Sequence, residues 1–140
     1  MRIVLDTNVL VSALISPEGS PGRVLAAVRR EGLTLVTSES QLAELKTVLS
    51  RDRLRPCIHP GEAEDLLRNL EAIGDVVAEL PDVNASSDPD DNLILATAIA
   101  GRADLIVSGD KKHMLALGWI DGIPIVTAAA ASERVARRDP

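Results

Sequence analysis

The sequence predicts an α/β fold: a three-layer α/β/α sandwich around a central, mostly parallel sheet of about five strands. Short apolar runs typical of buried strands recur along the chain, and segments with helical periodicity lie between them. Strands that alternate with helices form parallel sheets through right-handed crossovers, with helices on both faces. The chain has 140 residues, 46% of them hydrophobic, a length that suits one core rather than two. We therefore expect residues 1–140 to form a single domain.

The predicted strands are short runs rich in valine, isoleucine and leucine, residues that favour buried strands. The first of them, RIVL, lies at the very start of the chain, and the others follow at intervals long enough to hold helical segments. They cover residues 2–5, 34–37, 76–80, 104–109 and 123–127.

Capping residues mark where the helices between these strands begin and end. Pro21, directly after Ser20, suits the first turn of a helix that stops at Gly32. Asp88 and Pro89 form the same kind of start for a helix that is apolar nearly all round, a pattern that indicates burial. Further helices are predicted over 8–15, after Ser38 (which with Gln41 resembles a capping box), from Glu62 to Gly74, and from the alanine run at 128–131.

Composition excludes several classes of protein. Cys57 is the only cysteine, so an internal disulfide and a cysteine-rich metal site are both excluded. The chain has no phenylalanine or tyrosine, and we expect its single tryptophan, Trp119, to be a packing residue rather than a platform for stacked bases. No apolar run is long enough to span a bilayer, and the start of the chain does not resemble an export signal. We therefore expect a cytoplasmic protein without a membrane partner.

Four acidic residues fall where an α/β fold would gather them. Asp6 and Asp110 directly follow predicted strands, so they should face the crevice at the carboxyl ends of the sheet. Asp91 lies in the first turn of the predicted buried helix, and Glu44 lies at the margin of another helix's apolar face. Four carboxylates in one crevice would repel one another unless they shared a cation. Oxygen ligands without clustered histidine or thiolate favour Mg²⁺ or Mn²⁺.

Each of these acids also has an ordinary structural explanation. Asp6 suits a helix N-cap, and Glu44 suits a solvated position on a helix surface. Asp91 is favoured at the positive end of a helix dipole, and Asp110 suits a turn. The combination, rather than any single member, therefore indicates a metal site.

Two polar residues beside Asp6 are expected to support the site, whereas the two histidines are not. Thr7 and Asn8 follow Asp6 directly and are expected to hydrogen-bond its carboxylate and fix its rotamer. The two histidines, His59 and His113, are far apart in sequence and lack neighbouring nitrogen or sulfur ligands. We expect both at the surface or in loops, outside any metal site.

In order and spacing, four segments resemble the PIN-domain family, in particular the bacterial toxin components of toxin–antitoxin systems, the VapC-like ribonucleases. No single segment is diagnostic, but the four in this order are specific, and they span most of the chain. The segments are MRIVLDTNVLVSAL, SESQLAELKTVLSR, DPDDNLILATAIAGRADLIVSGDKKHMLALG and GIPIVT.

The resemblance implies a metal-dependent endoribonuclease that holds one or two Mg²⁺ or Mn²⁺ ions, a number that the sequence leaves open. In that chemistry, metal ions activate a water for attack on the phosphodiester and stabilise the leaving oxygen. Asn8 and Ser108 match polar positions near the site. The positions that match the four acids of the family are, in chain order, Asp6, Glu44, Asp91 and Asp110.

Basic residues near these acids are candidates for gripping the phosphates that flank the scissile bond. Each of them also has a simpler interpretation as a solvated surface charge, and the formal net charge of −6 argues weakly against generic nucleic-acid binding. The candidates are Arg51, Arg53, Arg55, Lys111 and Lys112.

The resemblance also implies partners: an RNA substrate, a cognate antitoxin and a second copy of the chain in a homodimer. An alternative is a binding module with little or no nuclease activity, in which the acidic pocket docks a basic partner segment through charge-assisted hydrogen bonds. A third hypothesis is another Mg²⁺-dependent phosphoryl-transfer enzyme, although the chain has no GxxxxGK[ST] loop.

Overall fold

The computed structural model describes residues 1–30 and 32–138, and within these ranges six strands form one sheet. The strands in chain order are β1 (Arg2–Leu5), β2 (Thr34–Ser38), β3 (Asp75–Val77), β4 (Leu105–Val107), β5 (Trp119–Ile120) and β6 (Ile123–Val126). They lie side by side in the order β3-β2-β1-β4-β6-β5.

Seven α-helices connect and cover these strands in the described ranges. Two of them start at the predicted caps: the side chains of Ser38 and Asp88 each accept a hydrogen bond from a first-turn backbone N–H. The helix predicted from Glu62 begins instead at Pro60, and the short helix at Met114–Leu117 was not predicted. The helices are α1 (Thr7–Ile15), α2 (Ser20–Arg30), α3 (Glu39–Leu49), α4 (Pro60–Ile73), α5 (Pro89–Ala100), α6 (Met114–Leu117) and α7 (Ala128–Arg138).

The sheet confirms the predicted α/β class, but it has six strands where about five were predicted. Four neighbouring strand pairs are parallel, as crossover helices require. The strand that the sequence did not reveal is β5, a two-residue segment that pairs antiparallel with β6 at the edge. Trp119 in β5 is 63% exposed, so the expectation that it packs against the core is wrong. A two-residue strand is too short for side-chain periodicity to predict.

Strand residues alternate between two apolar layers, which produces the three-layer architecture. Ile3 and Leu5 of β1 pack into a core covered by α1, α2, α3, α4 and α7. Val4 between them packs on the opposite face, against residues of α5 such as Leu95. Because successive strand side chains point to opposite faces, a strand buried on both sides is apolar throughout, as RIVL predicts.

The parallel strands end at one edge of the sheet, which we call the carboxyl edge. Asp6 follows β1 directly, Ser38 is the last residue of β2, and Ser108 follows β4. Helix α5 begins near this edge and packs against both β1 and β2. Side chains that are remote in sequence therefore meet there. No helix in the described ranges is long and apolar enough to cross a membrane.

The close approach of α5 to the sheet depends on Gly101, the C-cap of that helix. A Cβ atom at this position would lie 2.2 Å from Cγ1 of Val36, which is fully buried in β2. We expect Gly101→Ala to lower the free energy of unfolding by about 1–3 kcal/mol, because a packed core does not absorb an extra methyl group. Urea unfolding measures the loss. Gly19→Ala is the control, since its nearest contact would be 3.4 Å; equal losses in both variants would contradict the steric explanation.

Candidate metal centre

The structure brings the four sequence-predicted acids together at the carboxyl edge. Asp6, Glu44, Asp91 and Asp110 all line one cleft of about 590 Å³, which we call the acidic cleft. Its walls also include Thr7, Asn8, Arg51, Arg53, Asp88 and Asp90. The acids come from four different elements, so their proximity is a product of the tertiary fold.

Asp6 occupies the N-cap position of α1, yet its side chain makes no capping hydrogen bond. Its carboxylate instead accepts a hydrogen bond from the Ser108 hydroxyl at 2.7 Å, and the residue is only 6% exposed. The N-cap explanation therefore describes the backbone of Asp6 but not the direction of its side chain.

Asp110 is fixed by its own loop. Its Oδ1 atom accepts hydrogen bonds from the backbone N–H groups of Lys112 at 3.1 Å and His113 at 3.2 Å. The Asp110 N–H in turn donates to the Ser108 hydroxyl oxygen at 3.1 Å. Ser108 therefore connects the carboxylate of Asp6 to the backbone of Asp110 and holds the two acids at a set separation.

Asp91 reaches the cleft from the first turn of α5. It is 6% exposed, and its Oδ2 atom accepts a hydrogen bond from the Ser86 hydroxyl at 3.1 Å. Asp88 caps the same helix, with its Oδ1 atom accepting from the Asp90 N–H at 2.9 Å. The capping interpretation of this segment is thus right for Asp88, while Asp91 points inward.

Glu44 and Thr7 place buried oxygen atoms beside each other in the cleft. Oε2 of Glu44 and Oγ1 of Thr7 are buried without a hydrogen-bond partner among the described residues. Buried polar atoms in native proteins are nearly always satisfied, so a water or a bound ion is expected to complete these contacts. Thr7 supports Asp6 through its backbone rather than its hydroxyl, because a hydrogen bond from the Thr7 backbone lowers the pKa of Asp6.

Burial and mutual repulsion raise the pKa of three of the acids. Burial raises the pKa of Asp6 to about 6, and the charges of Asp91 and Glu44 add to this, against the opposing hydrogen bond from Ser108. Burial also raises the pKa of Glu44, although the nearby Thr7 hydroxyl opposes it. The pKa of Asp91 is raised by burial and by the charge of Asp110. The cleft therefore favours positive charge.

Asp110 behaves in the opposite way. Burial works against its ionisation, but the backbone N–H groups of His113 and Lys112 and the imidazole of His113 together lower the pKa of Asp110. Asp91 and Asp110 interact directly, so one member of the pair holds a proton more tightly while the other ionises more easily.

His113 and Asp88 belong to the site and were missed by the sequence analysis. Nδ1 of His113 lies 3.4 Å from Oδ2 of Asp110 and 3.8 Å from Oδ2 of Asp91. Ligand atoms of Asp88, Asp91 and His113 lie within 4.8 Å of one another. The expectation that His113 lies outside the site is wrong, because the turn after Asp110 folds back over the carboxylate. The i,i+3 spacing of His113 from Asp110 was the available signal.

The other predicted residues are distributed around the cleft. Asn8 supports the loop after β4 rather than Asp6, because its Oδ1 accepts a hydrogen bond from the Gly109 N–H at 3.2 Å. Arg51 and Arg53 line the acidic cleft itself. Lys111 lines a neighbouring groove of about 350 Å³ that shares Asn8 with the cleft. The side chain of Lys112 is exposed outside both.

The donor set suits a hard divalent cation. It offers several carboxylate oxygens, and two of the acids, Asp6 and Asp91, are nearly inaccessible to water. Glu44 and Thr7 each add a buried oxygen without a hydrogen-bond partner among the described residues. Oxygen ligands of this kind favour Mg²⁺ or Mn²⁺. The nitrogen of His113 beside them favours Mn²⁺ of the two, since imidazole suits transition metals better.

The raised pKa of Asp6 predicts how the metal-free protein responds to pH. Its pKa rises from 3.8 to about 6 on folding, so between these values the unfolded state binds fewer protons and stability falls as pH rises. Asp6 alone accounts for about 2 kcal/mol between pH 4 and 7. Asp6→Asn retains an acceptor for Ser108 and should be more stable than wild type at pH 7, with a weaker pH dependence.

Urea unfolding of metal-free protein across this pH range measures the effect. Asp82→Asn, an exposed position before α5, serves as the control and should follow wild type. An Asp6→Asn variant with the wild-type pH profile would show that the Asp6 carboxyl is not the source of the pH-dependent loss of stability.

Comparison with known proteins places these features in a family. The chain matches the family model for the PIN domain over residues 2–112. It is 33% identical over 114 residues to the uncharacterized protein MJ1680 of Methanocaldococcus jannaschii, which covers 79% of this chain and 72% of that protein. A chain in the crystal structure of VapBC2 from Rickettsia felis bound to a DNA fragment from their promoter has a similar fold, with a TM-score of 0.62 and 18% identity over 91% of this chain and 98% of that chain. This chain belongs to the PIN domain family.

Proposed function

We propose that the protein is a metal-dependent endoribonuclease that hydrolyses RNA phosphodiester bonds in the acidic cleft. Asp6, Glu44, Asp91 and Asp110 hold Mg²⁺ or Mn²⁺ in this proposal. The observation that carries it is the convergence of four carboxylates, three with raised pKa, on one open cleft. Membership of the PIN domain family, whose members are generally nucleases, supports it.

The residues of the cleft divide the chemical work between them. A bound Mg²⁺ or Mn²⁺ supplies Lewis-acid chemistry, lowering the pKa of water and neutralising negative charge on a phosphodiester. Ser108 fixes Asp6 and Asp110 relative to each other. Glu44 and Thr7 contribute neighbouring oxygens that accept from water or bind the ion in this proposal. The carboxylates thereby orient the reacting groups, and no covalent nucleophile is required.

Arg51 and Arg53 give the cleft a basic border on the side of α3. Both are exposed and line the cleft with Glu44. In the proposal they bind the phosphates that flank the scissile bond, which offsets the repulsion between RNA and the acids. Lys111 and Lys112 flank the loop after Asp110 and extend this contact on the other side.

We further propose that the chain is the toxin of a toxin–antitoxin pair that acts on RNA in the cytoplasm as a homodimer. The shared fold with a chain of VapBC2 supports the toxin–antitoxin part of this proposal, and the family resemblance described above implies the homodimer. An antitoxin segment carrying arginine would suit the acidic cleft, because a guanidinium binds carboxylates through bidentate, charge-assisted hydrogen bonds. In that arrangement the partner competes with metal for the same oxygens.

Cleavage assays with Asp6→Asn test the nuclease. We expect wild-type protein to cut a structured RNA with Mn²⁺ or Mg²⁺ and to stop in EDTA. Asp6→Asn should lose at least about a hundredfold in rate, since it removes a charged ligand that holds the ion. Gel analysis of RNA and of a matched DNA, with Asp82→Asn as the control, provides the measurement.

The outcomes separate the competing hypotheses. An Asp6→Asn variant that cuts RNA at the wild-type rate would contradict the assignment of the acids as a metal cradle. Metal binding measured by calorimetry without any RNA cleavage would favour the alternative of a partner-docking pocket.

Substitution of the two cleft arginines tests substrate binding. In an Asp6→Asn background, we expect Arg51→Ala with Arg53→Ala to weaken RNA binding and to reduce its salt slope by about 2, one for each lost phosphate contact. Fluorescence anisotropy at several salt concentrations measures both. Arg55→Ala is the matched control, because Arg55 pairs with Asp52 and lines a different groove. If Arg55→Ala weakened RNA binding and the salt slope equally, the cleft arginines would have no specific role in binding the substrate.

A further inference from the structure

Gln41 is a fully buried polar residue that the proposed chemistry does not use. It lies in the first turn of α3 and is 1% exposed. Its Nε2 donates to the backbone oxygen of Leu5 at 2.6 Å, and its Oε1 accepts from the Thr37 hydroxyl at 2.8 Å. Burying an amide is unfavourable unless its hydrogen bonds are made, so the two partners fix the orientation of this side chain.

The side-chain amide of Gln41 lies where the pairing between β1 and β2 ends. Strand β1 pairs with β2 through Arg2–Thr34 and Ile3–Leu35, whereas its pairing with β4 continues as far as Leu5. Beyond Ile3, the two strands therefore separate toward the carboxyl edge. The Gln41 side chain bridges this gap and supplies a hydrogen-bond donor to the Leu5 oxygen in place of a backbone N–H.

The capping box predicted from Ser38 and Gln41 is only half formed. The Ser38 hydroxyl accepts from the Gln41 N–H at 3.1 Å, as expected. In a complete box the glutamine side chain would reach back to the N-cap backbone. Here it turns toward β1 instead, so its role is not to cap α3 but to connect that helix to the neighbouring strand.

The elements that Gln41 connects carry the acids of the cleft. Leu5 immediately precedes Asp6, and Glu44 lies three residues after Gln41 on α3, on nearly the same helix face. The network continues to the helix that bears Asp91, because the Ser38 hydroxyl lies 2.9 Å from the Thr97 hydroxyl of α5.

We propose that Gln41 is a positioning residue that sets the separation of Glu44 from Asp6 by anchoring α3 to the carboxyl end of β1. This rests on the proposed function, in which both acids belong to the set that holds the metal. Some residues hydrogen-bond to the groups that bind a metal without contacting the metal themselves. Substituting such a residue typically lowers metal affinity by about 10- to 100-fold. Gln41 is connected to the backbone of both ligand-bearing segments, so its loss moves the carboxylates apart rather than removing either of them.

Calorimetric titration of metal-free protein with Mn²⁺ tests this inference. We expect Gln41→Met, which keeps the length of the side chain but not its hydrogen bonds, to weaken Mn²⁺ binding by about tenfold or more. Thr37→Val, which removes the hydroxyl that orients the amide, should give a smaller loss in the same direction. Val28→Ala is the control for stability, because Val28 is buried in α2 and that helix carries no acid of the cleft.

All variants are titrated well below their unfolding temperature, with folding checked by circular dichroism. Gln41→Met with wild-type Mn²⁺ affinity, or Val28→Ala with the same loss, would overturn the inference. If wild-type protein binds no Mn²⁺, the proposed function fails. Metal-free crystal structures of wild type and Gln41→Met then decide the inference separately: displacement of Glu44 relative to Asp6 supports it, and an unchanged separation overturns it.

Discussion

The repulsion among carboxylates held at one edge of a parallel sheet is the constraint on which the rest of the site depends. Asp6 and Asp91 are almost inaccessible to water, so solvent screens their charges only weakly. The fold keeps them there because each acid belongs to a rigid element or is fixed by a hydrogen bond. The strain of the metal-free cleft is therefore stored in the site and is relieved by a proton or by a cation.

Small buried polar groups, rather than the acids themselves, hold this geometry. Ser108 connects the carboxylate of Asp6 to the loop of Asp110, and Gln41 connects the helix of Glu44 to the end of β1. Each of these side chains is almost completely buried and makes specific hydrogen bonds. A satisfied polar network of this kind rigidifies the groups around it, which suits a site that must bring like charges together.

Membership of the PIN domain family and the geometry of the cleft support each other. The family match extends over residues 2–112, which contain all four acids. The geometry adds what a family match does not give: the orphan oxygens of Glu44 and Thr7, and the imidazole of His113 beside two carboxylates. In the proposed function, the choice of metal depends on those details, which are properties of this chain.

The sequence by itself determined most of the strands and helices and their buried faces, because periodicity and capping are local: RIVL, the Ser38 cap and the Asp88-Pro89 start all lie where predicted. It also placed Asp6 and Asp110 after strands, Asp91 at a helix start, and Glu44 at the margin of a helix's apolar face. Only the tertiary structure decided which groups meet. Ser108 is 102 residues from Asp6, and Gln41 is 36 residues from Leu5. The approach of His113 to Asp91 likewise depends on how a turn packs against a helix. Such distances follow from the packing of whole elements, which no local pattern encodes.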